Sequence, residues 1–136
     1  QELSSDELYQ AGAYILQSSH VFDGLTLEEN IALGQELDSR RMEEILQQTG
    51  LKALQGKTPS NQTLSGGEKQ RLEIARALYH NRQLILADEV KANLDLRNQE
   101  KISRLLFSLP QAVVEVIHHY SEEDLKRYDK VIKLER

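Results

Sequence analysis

The chain contains no cysteine, so neither a disulfide nor a thiolate metal site can form within it. No apolar run approaches the roughly 18 residues that a membrane-crossing helix requires. No charged start followed by a short apolar stretch marks a secretory leader. The first residue is Gln1 and not Met, which reads as the start of a piece cut from something longer. A surplus of basic charge is also lacking: the net charge is −5, with acids and bases interspersed. A nucleic-acid footprint needs a basic face, so no nucleic-acid partner is expected. The 136 residues are 39% apolar and 29% charged, which suits one soluble domain of ordinary size.

The most informative stretch is Leu64 to Leu78, LSGGEKQRLEIARAL. Ser65 followed by Glu68 is a capping box, so a helix is predicted to begin there. Leu72, Ala75 and Leu78 recur at helical spacing, with Ile74 beside them. Gly66 and Gly67 nevertheless occupy the first two helical positions, where each costs about 1 kcal/mol against alanine. Access to the backbone is one reason to keep them. A helix N-terminus offers unpaired N–H groups and partial positive charge to a phosphate, and glycine has no Cβ to hold an anion away. A capped surface helix behind a Gly-rich turn explains the same residues equally well.

LSGGEKQR resembles the signature motif of the ATP-binding cassette (ABC) family, whose common form is LSGGQ followed by a basic residue, with Glu68 in place of the usual Gln. Other stretches match the family in its own order. Ala13 to Leu16 is a short apolar run, predicted as a strand, and Gln17 comes directly after it. A polar residue there can be a plain strand end, but the stretch AYILQSSHVFDGLTLEENIALG resembles the family's Q-loop and the segment after it. The resemblance implies that Gln17 touches the magnesium ion and the attacking water. The order VFDG, then ENIALG, is similar to the exporter branch, although Leu25 lengthens the spacing. KTPSNQT stands where exporters usually carry Thr-x-Val-Gly-Glu.

Between these motifs the helical expectations are local. Ser4 or Ser5 can cap a first short helix that Gly12 ends. Thr26 and Glu29 form a second capping box, with a helix to about Leu33 and a stop at Gly34. Ser39 can cap the next helix, with Met42, Ile45, Leu46 and Thr49 on one face and Gly50 ending it. Gln55 to Thr63 is predicted as a polar loop with Gly56 and Pro59, and the segment from about Leu25 to His80 as a whole reads as helical.

Gln83 to Ala87 changes period: Leu84 to Ala87 are continuously apolar, as in a strand buried on both faces of a parallel sheet. Asp88 and Glu89 come next. Ligands of open α/β sheets gather at such strand ends. An acidic turn would look the same, but the pattern resembles the Walker B motif. That resemblance implies that Asp88 helps hold magnesium and that Glu89 is the general base toward water. Ala92 to Asp95 resemble the D-loop, and Asp95 can equally cap the next helix. Ile102, Leu105, Leu106 and Leu109 form that helix's buried stripe, and Pro110 stops it. Val113 to Ile117 is predicted as a strand, with Glu115 implying that one side is not fully buried. His118 and His119 lie just beyond it, and paired histidines at a strand end are ordinary on their own. HHYSEEDLKRYDKVIKL fits the exporter pattern H-R-L-x-x-E-x-L-x-x-x-D-x-I-x-x-L without gaps when His118 is the switch histidine, so His118 takes that role and His119 is the alternative. Ser121 caps a short helix, and Val131 to Leu134 is predicted as the last strand.

No G-x-x-x-x-G-K-[ST] segment occurs: Lys57 and Thr58 come after Gly56, but position 51 is Leu51. The resemblance places the phosphate-cradling loop and the adenine-stacking aromatic upstream of Gln1. The expected fold class is α/β, a partial parallel sheet of the P-loop NTPase type, with 25–80 an inserted helical subdomain and 1–24 and 81–136 parts of the core. The implied function is ATP hydrolysis that powers transport across a membrane. It is carried out at the cytoplasmic face through a transmembrane permease, with ATP and Mg2+ bound. Head-to-tail pairing with a second ABC domain would put Ser65, Gly66, Gly67 and Glu68 on the partner's ATP, and the resemblance counts Asp95 among the cofactor-binding residues too. Gln17, Asp88, Glu89 and His118 would serve the protomer's own. These residues alone are expected to be inactive and to self-associate. Two alternatives are a soluble ABC ATPase of DNA repair or translation and an idle module that only lends its signature to a partner.

Overall fold

A computed structural model describes residues 12–15 and 20–134. The expected first helix, and Gln17 with its loop, lie outside the described residues. Among the described residues, three parallel strands form one sheet in the order β1 (Gly12–Ile15), β2 (Leu84–Asp88) and β3 (Ala112–Val116). Between β1 and β2 run α1 (Leu27–Ala32), α2 (Ser39–Thr49), a 3-10 turn (Lys52–Leu54) and α3 (Gly66–Tyr79). Helix α4 (Leu96–Ser108) crosses from β2 to β3, and the short α5 (Glu122–Leu125) comes after β3.

Helix starts obey their caps. Thr26 and Glu29 exchange both bonds of a capping box at α1. Leu33 is its cap in left-handed conformation (φ 48°), one residue ahead of the expected Gly34 (φ 86°). At α2 the cap is Asp38 and not Ser39, which becomes the first helical residue. The Asp38 carboxylate accepts from the Arg41 amide at 3.2 Å, while Tyr79 Oη accepts from the Asp38 amide at 2.9 Å. A contact from α3 thus selects between two adjacent capping residues. Ser121 and Asp124 form a third capping box at α5.

The core lies where α3 packs on α1, α2 and α4. Met42, Ile45, Leu46 and Thr49 of α2 are buried, as the helical period requires. So are Ile102, Leu105, Leu106 and Leu109 at α4. Leu72, Ile74 and Ala75 of α3 are wholly enclosed, which explains why a helix that starts on two glycines is stable: tertiary packing outweighs propensity.

Two strand expectations are corrected, those for β2 and for Val131–Leu134. Strand β2 ends on Asp88 and buries one face only, through Ile85 and Ala87. One side of β3 is open, as expected, but it carries Ala112, Val114 and Val116, whereas the Glu115 side chain is turned inward and only 4% exposed. Residues Val131–Leu134 form no strand, and Ile132 and Leu134 are exposed. An apolar, β-prone run becomes a strand only beside a partner strand.

Candidate functional site

Two groups of residues gather along the sheet's C-terminal edge and the start of α3. The first is the α3 N-terminus. Ser65 Oγ accepts from the Glu68 amide at 3.1 Å, and Glu68 Oε1 accepts from the Ser65 amide at 2.9 Å. The Glu68 carboxylate therefore closes its own helix start. The Gly66 and Gly67 N–H groups have no partner within the helix. The glycines serve packing that the sequence does not reveal. A Cβ on Gly66 would lie 3.1 Å from Leu94 Cδ2, and one on Gly67 would lie 3.0 Å from Asn98 Oδ1. Absence of side chains here lets α3 settle against the loop and first turn that precede and open α4. Asp95 caps that helix, its Oδ1 accepting from the Asn98 amide at 2.8 Å. The signature-like and D-loop-like segments thus meet.

The cap makes a direct prediction. Ser65→Ala should cost about 1 kcal/mol of stability, and Ser65→Asp should restore most of it, since a carboxylate oxygen accepts the same amide. Urea unfolding midpoints of the two variants check this. Equal losses in both would mean that the cap bond is not what the serine supplies.

The second group is Asp88, Glu89 and His118. Asp88 is the last residue of β2, and Glu89 stands just past it in left-handed conformation (φ 52°). The Glu89 amide donates to the Val116 carbonyl at 2.9 Å, so the turn is tied to the end of β3. His118 Nε2 lies 3.5 Å from Glu89 Oε1, both side chains partly open to solvent. A non-glycine residue in this backbone region persists only where its surroundings impose it, and such positions cluster at working sites. His119 is also exposed, but the ring facing Glu89 is that of His118.

Sequence reasoning missed a buried polar knot behind the site. Asn30 is wholly buried. Its Oδ1 accepts from the Phe22 amide at 2.8 Å and from Arg76 Nη2 at 3.1 Å. Its Nδ2 donates toward the carbonyls of Phe22, Leu25 and Thr26 at 3.1 to 3.3 Å. Arg76 Nε donates to the Asn30 carbonyl at 2.8 Å, and its Nη1 pairs with Glu73 at 2.5 Å. The segment after the Q-loop-like stretch is thereby bolted to α3. A polar Asn30 three residues after Leu27 and next to Ile31, on the helix face those two bury, was the available signal.

Among the described residues, no three His, Cys, Asp or Glu side chains are grouped to hold a metal. Magnesium is usually bound by one or two carboxylates plus phosphates and water, so Asp88 is a donor of the right kind at the right strand end. Among the described residues no helix is long and apolar enough to cross a membrane.

A parallel sheet with carboxylates at its C-terminal edge and a Gly-started helix beside it is an α/β arrangement that matches domains of the P-loop NTPase type. The chain belongs to the ABC transporter family, whose profile matches residues 2–92. It is 35% identical over 129 residues to the uncharacterized ABC transporter ATP-binding protein MJ1508 of Methanocaldococcus jannaschii, covering 89% of this chain and 57% of that protein. It is 36% identical over 103 residues to the lipoprotein-releasing system ATP-binding protein LolD 1 of Chlorobium luteolum, covering 71% and 43%. Among solved structures, the dimeric post-hydrolysis state of the ATP-binding cassette MJ0796 bound to ADP and Pi matches with a TM-score of 0.67. The identity there is 31%, over 87% of this chain and 58% of that one. An ATP-bound bacterial Atm1-family ABC exporter also matches at TM-score 0.67, over 86% and 22%, but at 24% identity it bears on the fold alone. The chain spans about half the length of the curated relatives it matches.

Proposed function

We infer that the chain is part of an ATPase that powers transport across a membrane. The observation that carries this reading is the 3.5 Å approach of His118 to Glu89 just beyond two parallel strands, in a chain of the ABC transporter family. In this reading Glu89 accepts a proton from the water that attacks the γ-phosphate. His118 contacts the γ-phosphate and holds the water and Glu89 in line. Asp88, with Gln17, would hold Mg2+, which when bound neutralises phosphate charge. The Ser65–Glu68 turn, with the Gly66 and Gly67 amides at a helix N-terminus, faces the ATP of a second ABC domain in a head-to-tail pair. Asp95 sits beside that turn and belongs to the same interface. A transmembrane permease is the further partner, which places the chain at the cytoplasmic face of the membrane. The exporter-like branch rests on the VFDG and ENIALG order and on the gapless fit around His118. ATP turnover by the purified full-length protein is the test. Binding without turnover would favour a module that only lends its signature to a partner.

The 136 residues taken alone are a different matter. They hold no G-x-x-x-x-G-K-[ST] segment to cradle phosphate. Val114 and Val116 are exposed on β3, as are Ile132 and Leu134 further along the chain. Exposed strand edges and apolar patches recruit other chains. These residues alone are therefore expected to bind no ATP at micromolar concentration and to self-associate with or without it. Calorimetry and light scattering test both points. Micromolar affinity, or association that appears only with ATP and Mg2+, would contradict them.

A further inference from the structure

Lys91 lies in the loop between β2 and α4, two residues beyond Glu89. Its Nζ is 3.3 Å from Glu115 Oε2, 3.1 Å from Ser103 Oγ and 3.3 Å from Tyr128 Oη. An ammonium has three N–H donors, and here each has an acceptor. The acceptors come from three separate places: β3, α4 and the turn after α5. The Glu115 side chain is 4% exposed and Ser103 is buried, so the carboxylate depends on this cation. Burial and the neighbouring Glu115 carboxylate hold the Tyr128 phenol well above its usual pKa, which keeps it a neutral hydrogen-bonding group.

The location gives the network its consequence. Lys91 is flanked by two non-glycine residues in left-handed conformation, Glu89 (φ 52°) and Asn93 (φ 65°). Glu115 pairs with Ala87 across the sheet and precedes His118 by three residues. One bridge thus joins the loop that carries Glu89 to the strand that leads to His118. Gln99 Nε2 secures the loop's far end by donating to the Leu94 carbonyl at 2.8 Å. We propose that Lys91, through Glu115, is a positioning residue that holds Glu89 opposite His118 for ATP hydrolysis. The proposal rests on the reading of Glu89 given under Proposed function.

The test uses the full-length protein. Lys91→Met alone strands a buried carboxylate and risks unfolding. The paired variant Lys91→Met/Glu115→Met removes both charges at similar volume, an exchange that proteins often accept without loss of stability. The expected result is a near-wild-type melting temperature and a KM for ATP within about twofold, with kcat lowered about 10- to 100-fold by displacement of the catalytic group. Wild-type kcat in the folded paired variant would overturn the proposal. Failure of the paired variant to fold would make the network a stability element and overturn it equally. Glu89→Gln is measured alongside. If Glu89→Gln keeps full turnover, the reading of Glu89 fails and takes the Lys91 role with it. If Glu89→Gln is inactive while the paired variant is fully active, only the Lys91 role fails.

Discussion

Glu89→Gln in the full-length protein is expected to lower ATP turnover at least about a hundredfold, the usual contribution of a positioned general base. The substitution keeps the shape of the side chain and most of its hydrogen bonding but removes its capacity to take a proton. The left-handed turn is held by the bond from the residue 89 amide to the Val116 carbonyl, which the substitution does not touch. Binding of ATP should therefore be preserved, and the loss should fall on kcat. Steady-state hydrolysis together with a nucleotide-binding titration separates the two. Equal losses in binding and turnover would show that the carboxylate serves the ground state and not the proton transfer.

Asn30→Ala should lower stability by about 3 kcal/mol. Alanine leaves the Phe22 amide without the acceptor that Asn30 Oδ1 provides, and it takes one partner from the Arg76 guanidinium. Both groups lie in or beside a fully buried site, where water cannot replace what is lost. Arg76 keeps Glu73 and the residue 30 carbonyl, so its charge is not wholly orphaned. Urea unfolding gives the value. A loss below about 1 kcal/mol would mean that water or a shifted backbone takes over these bonds.

Much of the helical architecture was legible because it is local. Capping boxes at Thr26, Ser65 and Ser121, and the cap at Asp95, use atoms within three residues of one another. The stripes of α2 and α4 arise from the helical period alone. What could not be read depended on distant residues. Asp38 displaced Ser39 as a cap because Tyr79, in another helix, holds its amide. Period-two alternation places Val113 and Glu115 on one face of β3 but does not say which face is inward. Lys91, far away in the chain, settles that by supplying the cation that lets Glu115 turn in. Val131 to Leu134 had the composition of a strand but no neighbour to pair with among the described residues. In the sequence Gly66 and Gly67 read as room for an anion, whereas what the fold shows them making room for is Leu94 and Asn98. Of the candidate site, Glu89 and His118 were each legible by resemblance, while their approach across β2 and β3 needed the fold.

That approach can be tested on two adjacent side chains. His118 and His119 are both exposed, and only the first is 3.5 Å from Glu89. Steady-state ATP hydrolysis by full-length His118→Ala and His119→Ala, measured side by side, puts the pairing of Glu89 with His118 to its most direct test. The expected result is a loss of about a hundredfold or more in His118→Ala and near-wild-type turnover in His119→Ala. Equal loss in both variants, or loss in His119→Ala alone, would contradict it.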